Sequence, residues 1–197
     1  MSTKKKAARP RKKKKVSRRR RDYLLPSEVE RLLKAALRGG RHAHRNYTLI
    51  LLCFRHGLRA NELMELRWRN VDLKRKVLRV NRIMNSISSV HPLLGPELLA
   101  LRKLKREYPD GSHLFYSNRG KKLGGRTISR VISEAGIEAG FKYHVNSLML
   151  RRGCGYALGK AGHNMVSLQH YLGHRNIRHT QRYVELPPNP FKNFWKK

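Results

Sequence analysis

Four residues of three types could together do chemistry on a phosphate group: Arg59, Arg151, His174 and Tyr183. Guanidinium groups stay protonated and bind two phosphate oxygens in a fork, and an imidazole can donate a hydrogen bond to the same oxygens. A tyrosine hydroxyl is a weak nucleophile because its ordinary pKa is about 10, so nearby cations must favour the phenolate. The set suits attack of Tyr183 on a phosphodiester whose developing charge the arginines and the histidine stabilise.

The same residues also have ordinary structural explanations. An arginine among 46 lysines and arginines is most often solvated or in contact with a phosphate, and a single tyrosine is most often a half-buried aromatic. His170 and His174, four residues apart, could bind a metal ion, but the sequence has neither the glutamate of a His-Glu-x-x-His motif nor a third ligand nearby. It also has no Walker-type loop and no carboxylate cluster for magnesium. We therefore predict no metal site and no cofactor.

Hydrophobic spacing predicts the elements that must position these side chains. Ser27 and Glu30 predict the capping box of a first helix, which ends at Gly39-Gly40. Further helices are predicted at about 46–56, after residue 59, at 95–107, 128–135, 148–161, 166–172 and 176–184. Residues 77–83 and 87–91 predict the two strands of a hairpin that turns at Asn85-Ser86, and 113–116 predict a short strand.

Three motifs in a fixed order favour the chemical interpretation. The first is His56-Gly57-Leu58-Arg59-Ala60-Asn61-Glu62-Leu63, the second is Leu150-Arg151 followed by Gly153-Cys154-Gly155-Tyr156-Ala157-Leu158, and the third runs from Leu172-Gly173-His174 to Thr180-x-x-Tyr183. Together they resemble the sequence boxes of the tyrosine recombinase (phage integrase) family over about residues 23–185. The short chain and its Val90-His91-Pro92-Leu93 and Arg175-Asn176-Ile177 runs are most similar to the fimbrial phase-switch invertases of that family.

The resemblance implies a fold and a reaction. The fold is mainly α with a small antiparallel β-hairpin sheet (α+β), as in tyrosine recombinase catalytic domains. The reaction is site-specific DNA recombination, in which strand cleavage and rejoining pass through a 3′-phosphotyrosine intermediate at Tyr183. The two arginines and the histidine are the other catalytic residues. Because the phosphotyrosine link keeps the energy of the broken bond, rejoining needs no ATP and no metal ion.

The resemblance also implies partners and a setting. The partners are double-stranded DNA and further copies of the chain, which assemble as a tetramer on paired DNA sites. An accessory DNA-bending protein can join such assemblies. The setting is the bacterial cytoplasm, in association with the nucleoid and without membrane contact.

Two of the family's motifs are incomplete in this chain. The family's catalytic lysine lies on the β-hairpin, where this chain has Arg82-Ile83-Met84-Asn85-Ser86, so Met84 takes the place of the lysine. The second box of the family is His-x-x-Arg-His, and Leu148 and Arg152 replace its two histidines here. Arg82 shares a strand face with residue 84 and could reach the phosphate, but it is too weak an acid to protonate a leaving oxygen. His144 could swing in from a loop.

These departures leave two main hypotheses open. In the first, the chain is a working, slower site-specific recombinase, which the intact Tyr183 favours. In the second, it is a catalytically weak or inactive DNA-binding protein or regulator on a recombinase scaffold, which Met84 and Leu148 favour. A generic basic chromosomal or ribosomal protein is a third interpretation, but it does not explain three motifs in order.

The charge balance predicts a polyanionic partner. The 197 residues include 46 Lys and Arg against 12 Asp and Glu, a formal net charge of +34. Residues 1–21 hold 13 of the basic residues and no acid, and the remainder still carries +21. DNA, RNA or an anionic membrane could compensate such charge, but no apolar stretch is long enough to cross a bilayer. The candidate DNA contacts are Arg82, Arg152, Arg175, Lys12, Lys13, Lys14, Arg18, Arg19 and Arg20.

We predict three regions in the chain. Residues 1–22 form a basic DNA-binding tail whose like charges repel one another and keep it disordered. Residues 23–185 form the catalytic domain. Residues 186–197 form a C-terminal segment, set off by Pro187-Pro188, which packs on a neighbouring protomer or caps its own core. Cys53 and Cys154 make no disulfide framework, which fits a reducing compartment.

Overall fold

The structure is a computed structural model that describes residues 22–83, 86–117 and 120–184. Within these residues the helices are α1 (Pro26–Leu37), α2 (Ala43–Arg55), α3 (Ala60–Glu65), α4 (Gly95–Glu107), α5 (Gly125–Glu138), α6 (Ser147–Lys160), α7 (Met165–Leu172) and α8 (Arg178–Gln181). The strands β1 (Val71–Asp72), β2 (Val77–Val80) and β3 (Ser89–Pro92) form one antiparallel sheet in that order. The predicted class, mainly α with a small antiparallel sheet, is confirmed.

Helix α1 begins before the position that its sequence predicts. The capping box predicted at Ser27 and Glu30 is wrong, because the helix already starts at Pro26. Proline suits the first position of a helix, since its fixed φ is helical and its missing N–H would have no partner there. Glu28 caps the helix instead, and its carboxylate accepts a 2.8 Å hydrogen bond from the backbone N–H of Leu25.

Helix α2 runs through the centre of the molecule. Its residues from Thr48 to Cys53 are all buried, and it packs against α1, α4 and α6. The chain leaves α2 through Gly57, whose φ of +56° lies in the left-handed region that favours glycine. A Cβ at this position would come within 2.7 Å of the Leu172 side chain. This tight exit brings Arg59 to the start of α3.

The hairpin is shorter than its alternating pattern predicts. Strand β2 ends at Val80, three residues early, and β3 covers Ser89–Pro92. The ladder stops because Arg82 leaves it: its backbone N–H donates to the Ser88 hydroxyl at 3.0 Å, and its side chain enters the interior. Asn85 of the predicted turn lies outside the described residues.

The strand predicted at 113–116 is wrong. His113 forms a single bridge with Arg67, and Tyr116 forms another with Lys122, so no continuous ladder exists. The apolar pair between them, Leu114 and Phe115, is buried in the core, which produces a strand-like pattern without a strand.

The C-terminal part of the described chain folds back onto α6. Helix α7 ends at Leu172, and Gly173 follows it with a φ of +69°. Helix α8 is only one turn long, shorter than the predicted 176–184. Tyr183 therefore lies in a turn after α8 and not inside a helix.

Some predictions concern residues that the structure does not describe. Residues 1–21 of the predicted basic tail, Met84, and the C-terminal segment beyond residue 184 lie outside the described residues. Asp22, the last residue of the predicted tail, is described and pairs with Arg152 of α6. Among the residues that are described, no helix combines the length and the apolar character needed to cross a bilayer.

Candidate active site

Arg59 stands at the N-terminal end of α3 with its side chain partly exposed. Its backbone N–H donates to one carboxylate oxygen of Glu62 at 2.8 Å, and its Nη1 donates to the other at 2.9 Å. Nη1 also lies 3.3 Å from the hydroxyl of Ser86, which lies between strands β2 and β3. The side chain keeps about a third of its surface in solvent, at 32%. Its guanidinium is thus held in one direction and still accessible.

Arg151 is buried within the first turns of α6. Its Nη1 donates to the carbonyl of Gly57 and its Nη2 to the carbonyl of Leu172, both at 2.5 Å. Burial and, to a smaller extent, the positive charges of Arg82 and Arg59 together lower its pKa to about 10. The guanidinium therefore remains protonated at neutral pH. An arginine has five N–H groups, so Arg151 has the capacity to donate to a ligand as well as to these two carbonyls.

Arg82 does not face the solvent, contrary to the expectation that it reaches phosphate or DNA. Its side chain has no exposed surface, and its Nη1 donates to Glu62 at 2.7 Å and to the Gly57 carbonyl at 3.1 Å. Its Nη2 donates to the carbonyls of His56 at 3.1 Å and Tyr171 at 2.6 Å. Arg82 therefore joins the exit of α2, α3 and the end of α7.

His174 follows the end of α7 and is buried. Its Nδ1 lies 2.9 Å from the Thr180 hydroxyl, which is itself fully buried. Burial and, to a smaller extent, the positive charges of Arg151 and Arg59 together lower the pKa of His174 to about 3. The imidazole is consequently neutral across the physiological range. When Nδ1 accepts from Thr180, the proton resides on Nε2.

Tyr183 lies against helix α6 in the same protomer. The edge of Tyr156 contacts its ring, with centroids 5.0 Å apart, and the His174 ring lies nearly parallel at 6.2 Å. Two glycines of α6 make room for it: a Cβ at Gly155 would meet the ring at 2.9 Å, and one at Gly159 would overlap its carbonyl. Burial raises the pKa of Tyr183, while Arg182, Arg151 and Arg152 act to lower it.

The structure brings the four predicted catalytic residues together from separate segments. The charge of Arg59 acts on Arg151 and on His174, and the charge of Arg151 acts on Tyr183. Glu62 is the buried carboxylate in this cluster, and it pairs with Arg59 and Arg82. Three guanidinium groups near one carboxylate leave an excess of positive charge, which an anion such as phosphate would compensate.

The sequence alone did not identify several residues of the site. Glu62 stood inside the first motif, and a glutamate three residues after a helix start is the available signal for a capping carboxylate. Tyr156 and the two glycines stood inside the second motif, but no local pattern predicts that they would surround Tyr183. Arg82 was selected for the wrong reason, because its burial depends on how α7 packs on the hairpin.

The remaining predicted residues lie around this cluster. Arg152 is partly exposed and pairs with Asp22 at 2.5 Å, and Arg175 is exposed. Leu148 is half-exposed and lines a surface depression together with His144. Within the described residues, no three His, Cys, Asp or Glu side chains come close enough to hold a metal ion. The predicted contacts Lys12, Lys13, Lys14, Arg18, Arg19 and Arg20 lie outside the described residues.

Comparison with known proteins finds one family and relatives that match nearly the whole chain. The model of the phage integrase family matches residues 22–189. The type 1 fimbriae regulatory protein FimB of Escherichia coli (strain K12) is 40% identical over 184 residues, 91% of this chain and 92% of FimB. FimE of the same strain is 38% identical over 184 residues, 90% of this chain and 92% of FimE.

Solved structures show the same fold. The crystal structure of XerA recombinase matches with a TM-score of 0.74 and 25% identity, over 88% of this chain and 63% of that one. XerH site-specific recombinase bound to its difH substrate matches with a TM-score of 0.72 and 19% identity, over 89% of this chain and 54% of XerH. This chain thus spans between half and two thirds of those longer recombinases.

Proposed function

The chain belongs to the phage integrase family of site-specific tyrosine recombinases, and we propose that it cleaves and rejoins duplex DNA through a covalent link to Tyr183. The observation that carries this proposal is the convergence of Arg59, Arg151 and His174 beside Tyr183 with a surplus of positive charge. A phosphodiester is the ligand that two guanidinium forks and one N–H donor suit best.

The proposed cleavage step exchanges one ester bond for another. The Tyr183 hydroxyl loses its proton and its oxygen attacks the phosphorus, which forms the phosphotyrosine bond to the 3′ side of the strand. The bond to the 5′ oxygen breaks, and that oxygen leaves and takes up a proton. Rejoining reverses these events, with a 5′ hydroxyl attacking the phosphotyrosine, so that the number of ester bonds is conserved.

The surrounding residues stabilise the charge of the transition state. Arg151 is held by two backbone carbonyls and Arg59 by Glu62, so both guanidinium groups are oriented before DNA arrives. Such preorganised donors cost little reorganisation when the charge develops. His174, neutral and fixed by Thr180, would donate from Nε2 to a non-bridging oxygen. The same cations favour the phenolate of Tyr183 against the effect of its burial.

Proton delivery to the leaving oxygen is the weak point of this site. Leu148, at the position of the first histidine of the family's second box, presents a half-exposed aliphatic side chain that cannot transfer a proton. This observation favours a second candidate function, in which the chain binds its DNA site and regulates it with weak or no cleavage. The names of FimB and FimE, both regulatory proteins, are compatible with either function.

The proposed partners are duplex DNA and further copies of this chain. XerH was solved on its difH substrate and λ integrase as a dimer on a core site, which supports DNA binding and joint action of several protomers here. We propose a tetramer on two paired sites, with an accessory DNA-bending protein as an additional component. Two arginines around the cluster, the partly exposed Arg152 and the exposed Arg175, would contact the DNA backbone.

A nicked suicide substrate, which releases a short fragment after cleavage, tests the proposal. The full chain should form a covalent protein–DNA adduct, and Tyr183→Phe should form none while keeping its DNA affinity. Tight, site-selective binding by both proteins without any adduct would support the regulator instead. If neither protein bound duplex DNA, both candidate functions would fail.

A further inference from the structure

Next to Tyr183, a carboxylate bridges two arginines that the catalytic cluster does not use. Asp22 Oδ2 lies 2.5 Å from Nη1 of Arg152 and 3.6 Å from Nη2 of Arg182. Arg152 belongs to α6, and Arg182 directly precedes the nucleophile. Both arginines act electrostatically on Tyr183. One carboxylate between two guanidinium groups leaves one positive charge uncompensated at this place.

The fold holds Asp22 over these arginines. The backbone N–H of Leu24 donates to the Met149 carbonyl at 3.3 Å, and the fully buried Leu24 fits only because residue 153 is glycine. A Cβ at Gly153 would overlap the Leu24 carbonyl. Tyr23 stacks on Tyr156 with ring centroids 3.9 Å apart. The first described residues are thus fixed on the helix that also carries Arg151.

We infer that Asp22 occupies the place of a DNA backbone phosphate, and that Arg152 and Arg182 bind this phosphate once DNA displaces the carboxylate. This inference rests on the proposed function and adds to it a second phosphate site beside the nucleophile. A carboxylate and a phosphodiester present the same kind of anionic oxygen to a guanidinium fork. The two ion pairs are exposed, with 46% of the Asp22 side chain in solvent, so each contributes little and exchanges readily.

The position of Asp22 in the sequence favours its displacement by a phosphate when DNA binds. It directly follows 21 residues that carry 13 lysines and arginines. A duplex bound by these residues brings its phosphates close to Asp22 and repels the carboxylate, while it attracts the two arginines. Asp22 is also connected to the nucleophile through aromatic contacts, because its neighbour Tyr23 contacts Tyr156 and Tyr156 contacts Tyr183. Displacement of Asp22 would therefore change the packing around Tyr183.

Equilibrium binding to an intact duplex site tests the inference, with the full chain carrying Tyr183→Phe so that covalent capture does not contribute. Removing the competing carboxylate by Asp22→Asn should tighten the Kd about three- to tenfold at 0.1 M salt, the range that two exposed ion pairs allow. Asp22→Glu should restore the affinity of the parent. Glu30→Gln, which removes an exposed acid from α1, is the matched control and should change the Kd less than about twofold.

A double-variant cycle locates the effect. In a chain that also carries Arg152→Gln and Arg182→Gln, the gain in affinity from Asp22→Asn should disappear. The two arginines for which Asp22 and the DNA phosphate compete are then absent. An equal gain from Asp22→Asn and Glu30→Gln, or a weaker Kd with Asp22→Asn, would overturn the inference. Loss of all duplex binding in the parent would instead overturn the proposed function, so the two failures are distinguishable.

Discussion

At the scale of single residues, the negative charge of Glu62 is too small to compensate the arginines around it. Its carboxylate pairs with Arg59 on one side and with the fully buried Arg82 on the other. Arg151 instead donates to the backbone carbonyls of Gly57 and Leu172, which carry no formal charge. The sequence motifs predicted Arg59 and Arg151, because their types and order carry that information. They could not predict the burial of Arg82, which depends on the packing of residues far apart in the chain.

The three buried histidines make stability depend on pH. Burial lowers the pKa of His91 and His174 to about 3, and that of His56 well below its ordinary value of 6.5. The unfolded chain therefore takes up more protons than the folded chain as the pH falls below about 6.5, and the free energy of unfolding decreases. For His91 and His174 this loss of stability begins as the pH falls below about 6.5 and continues towards pH 3, at about 1.4 kcal/mol per pH unit for each of the two. The lowered pKa of His56 acts in the same direction.

Urea unfolding at pH 7, 6 and 5 measures this slope. His91→Gln should make this slope shallower, because one buried group that binds a proton on unfolding is gone. His163→Gln, which removes an exposed histidine, should leave it unchanged. A free energy of unfolding that stays constant between pH 7 and 5 would contradict the neutral, buried state of these side chains.

Met84 should limit the rate of cleavage. The 5′ oxygen leaves as a strongly basic alkoxide unless it is protonated, and methionine cannot supply a proton. We expect Met84→Lys to raise the rate of adduct formation within the range of about 10²–10⁴ that general acid catalysis provides. Leu148→His in addition should raise it further. Val90→Lys, which adds a lysine to the exposed face of β3, controls for added charge and should give no such gain.

Sulfur at the 5′ bridging position sharpens this test, because a thiolate departs without a proton. On that substrate the unmodified chain should gain far more rate than Met84→Lys. Equal gains for both proteins would refute proton delivery as the function of a residue at position 84.

At the scale of secondary structure, the ends of helices position the site. Gly57 and Gly173 have left-handed backbone conformations and turn the chain after α2 and α7. These turns place Arg59 and His174, which follow them, in the site. Most helices could be predicted from hydrophobic spacing, since a buried face recurs with the helical period. The start of α1 could not be predicted, because the helix begins at Pro26 and not after the capping residue that the sequence offers. The segment at 113–116 was also mispredicted, because its two buried apolar residues give the pattern of a strand.

Gly159 should matter for the placement of Tyr183 more than for the stability of α6. Alanine is favoured over glycine in a helix by about 1 kcal/mol, yet a methyl group here would overlap the Tyr183 carbonyl. We expect Gly159→Ala to slow adduct formation on the order of 10²-fold, the cost typical of a displaced reacting group, with DNA affinity preserved. Gly95→Ala, where a Cβ meets nothing within 4 Å, is the matched control and should retain the parental rate. An unchanged rate with Gly159→Ala would show that Tyr183 is seated differently.

At the scale of the whole molecule, charge is distributed over both the tail and the folded part. The chain carries +34 in total, and +21 remains without residues 1–21. Net charge could be read directly from composition and predicts a polyanionic partner. It does not predict site selectivity, which depends on contacts to bases and on the shape of the duplex.

Deleting residues 1–21 should weaken binding without altering site preference. Each phosphate neutralised by the tail contributes about 0.9 to the slope of log affinity against log salt, so the slope should become shallower by several units. The ratio of affinities for cognate and unrelated duplexes should stay the same. A deletion that abolished this ratio and left the slope unchanged would identify the tail as a specificity element.

The identity of the residue that becomes linked to DNA tests the central claim most directly. After cleavage of a suicide substrate, the adduct can be digested with protease and the nucleotide-bearing peptide sequenced by mass spectrometry. We predict a 3′-phosphate link to Tyr183 and a free 5′ hydroxyl on the other strand end. A link to any other residue, or to the 5′ end of the strand, would contradict it.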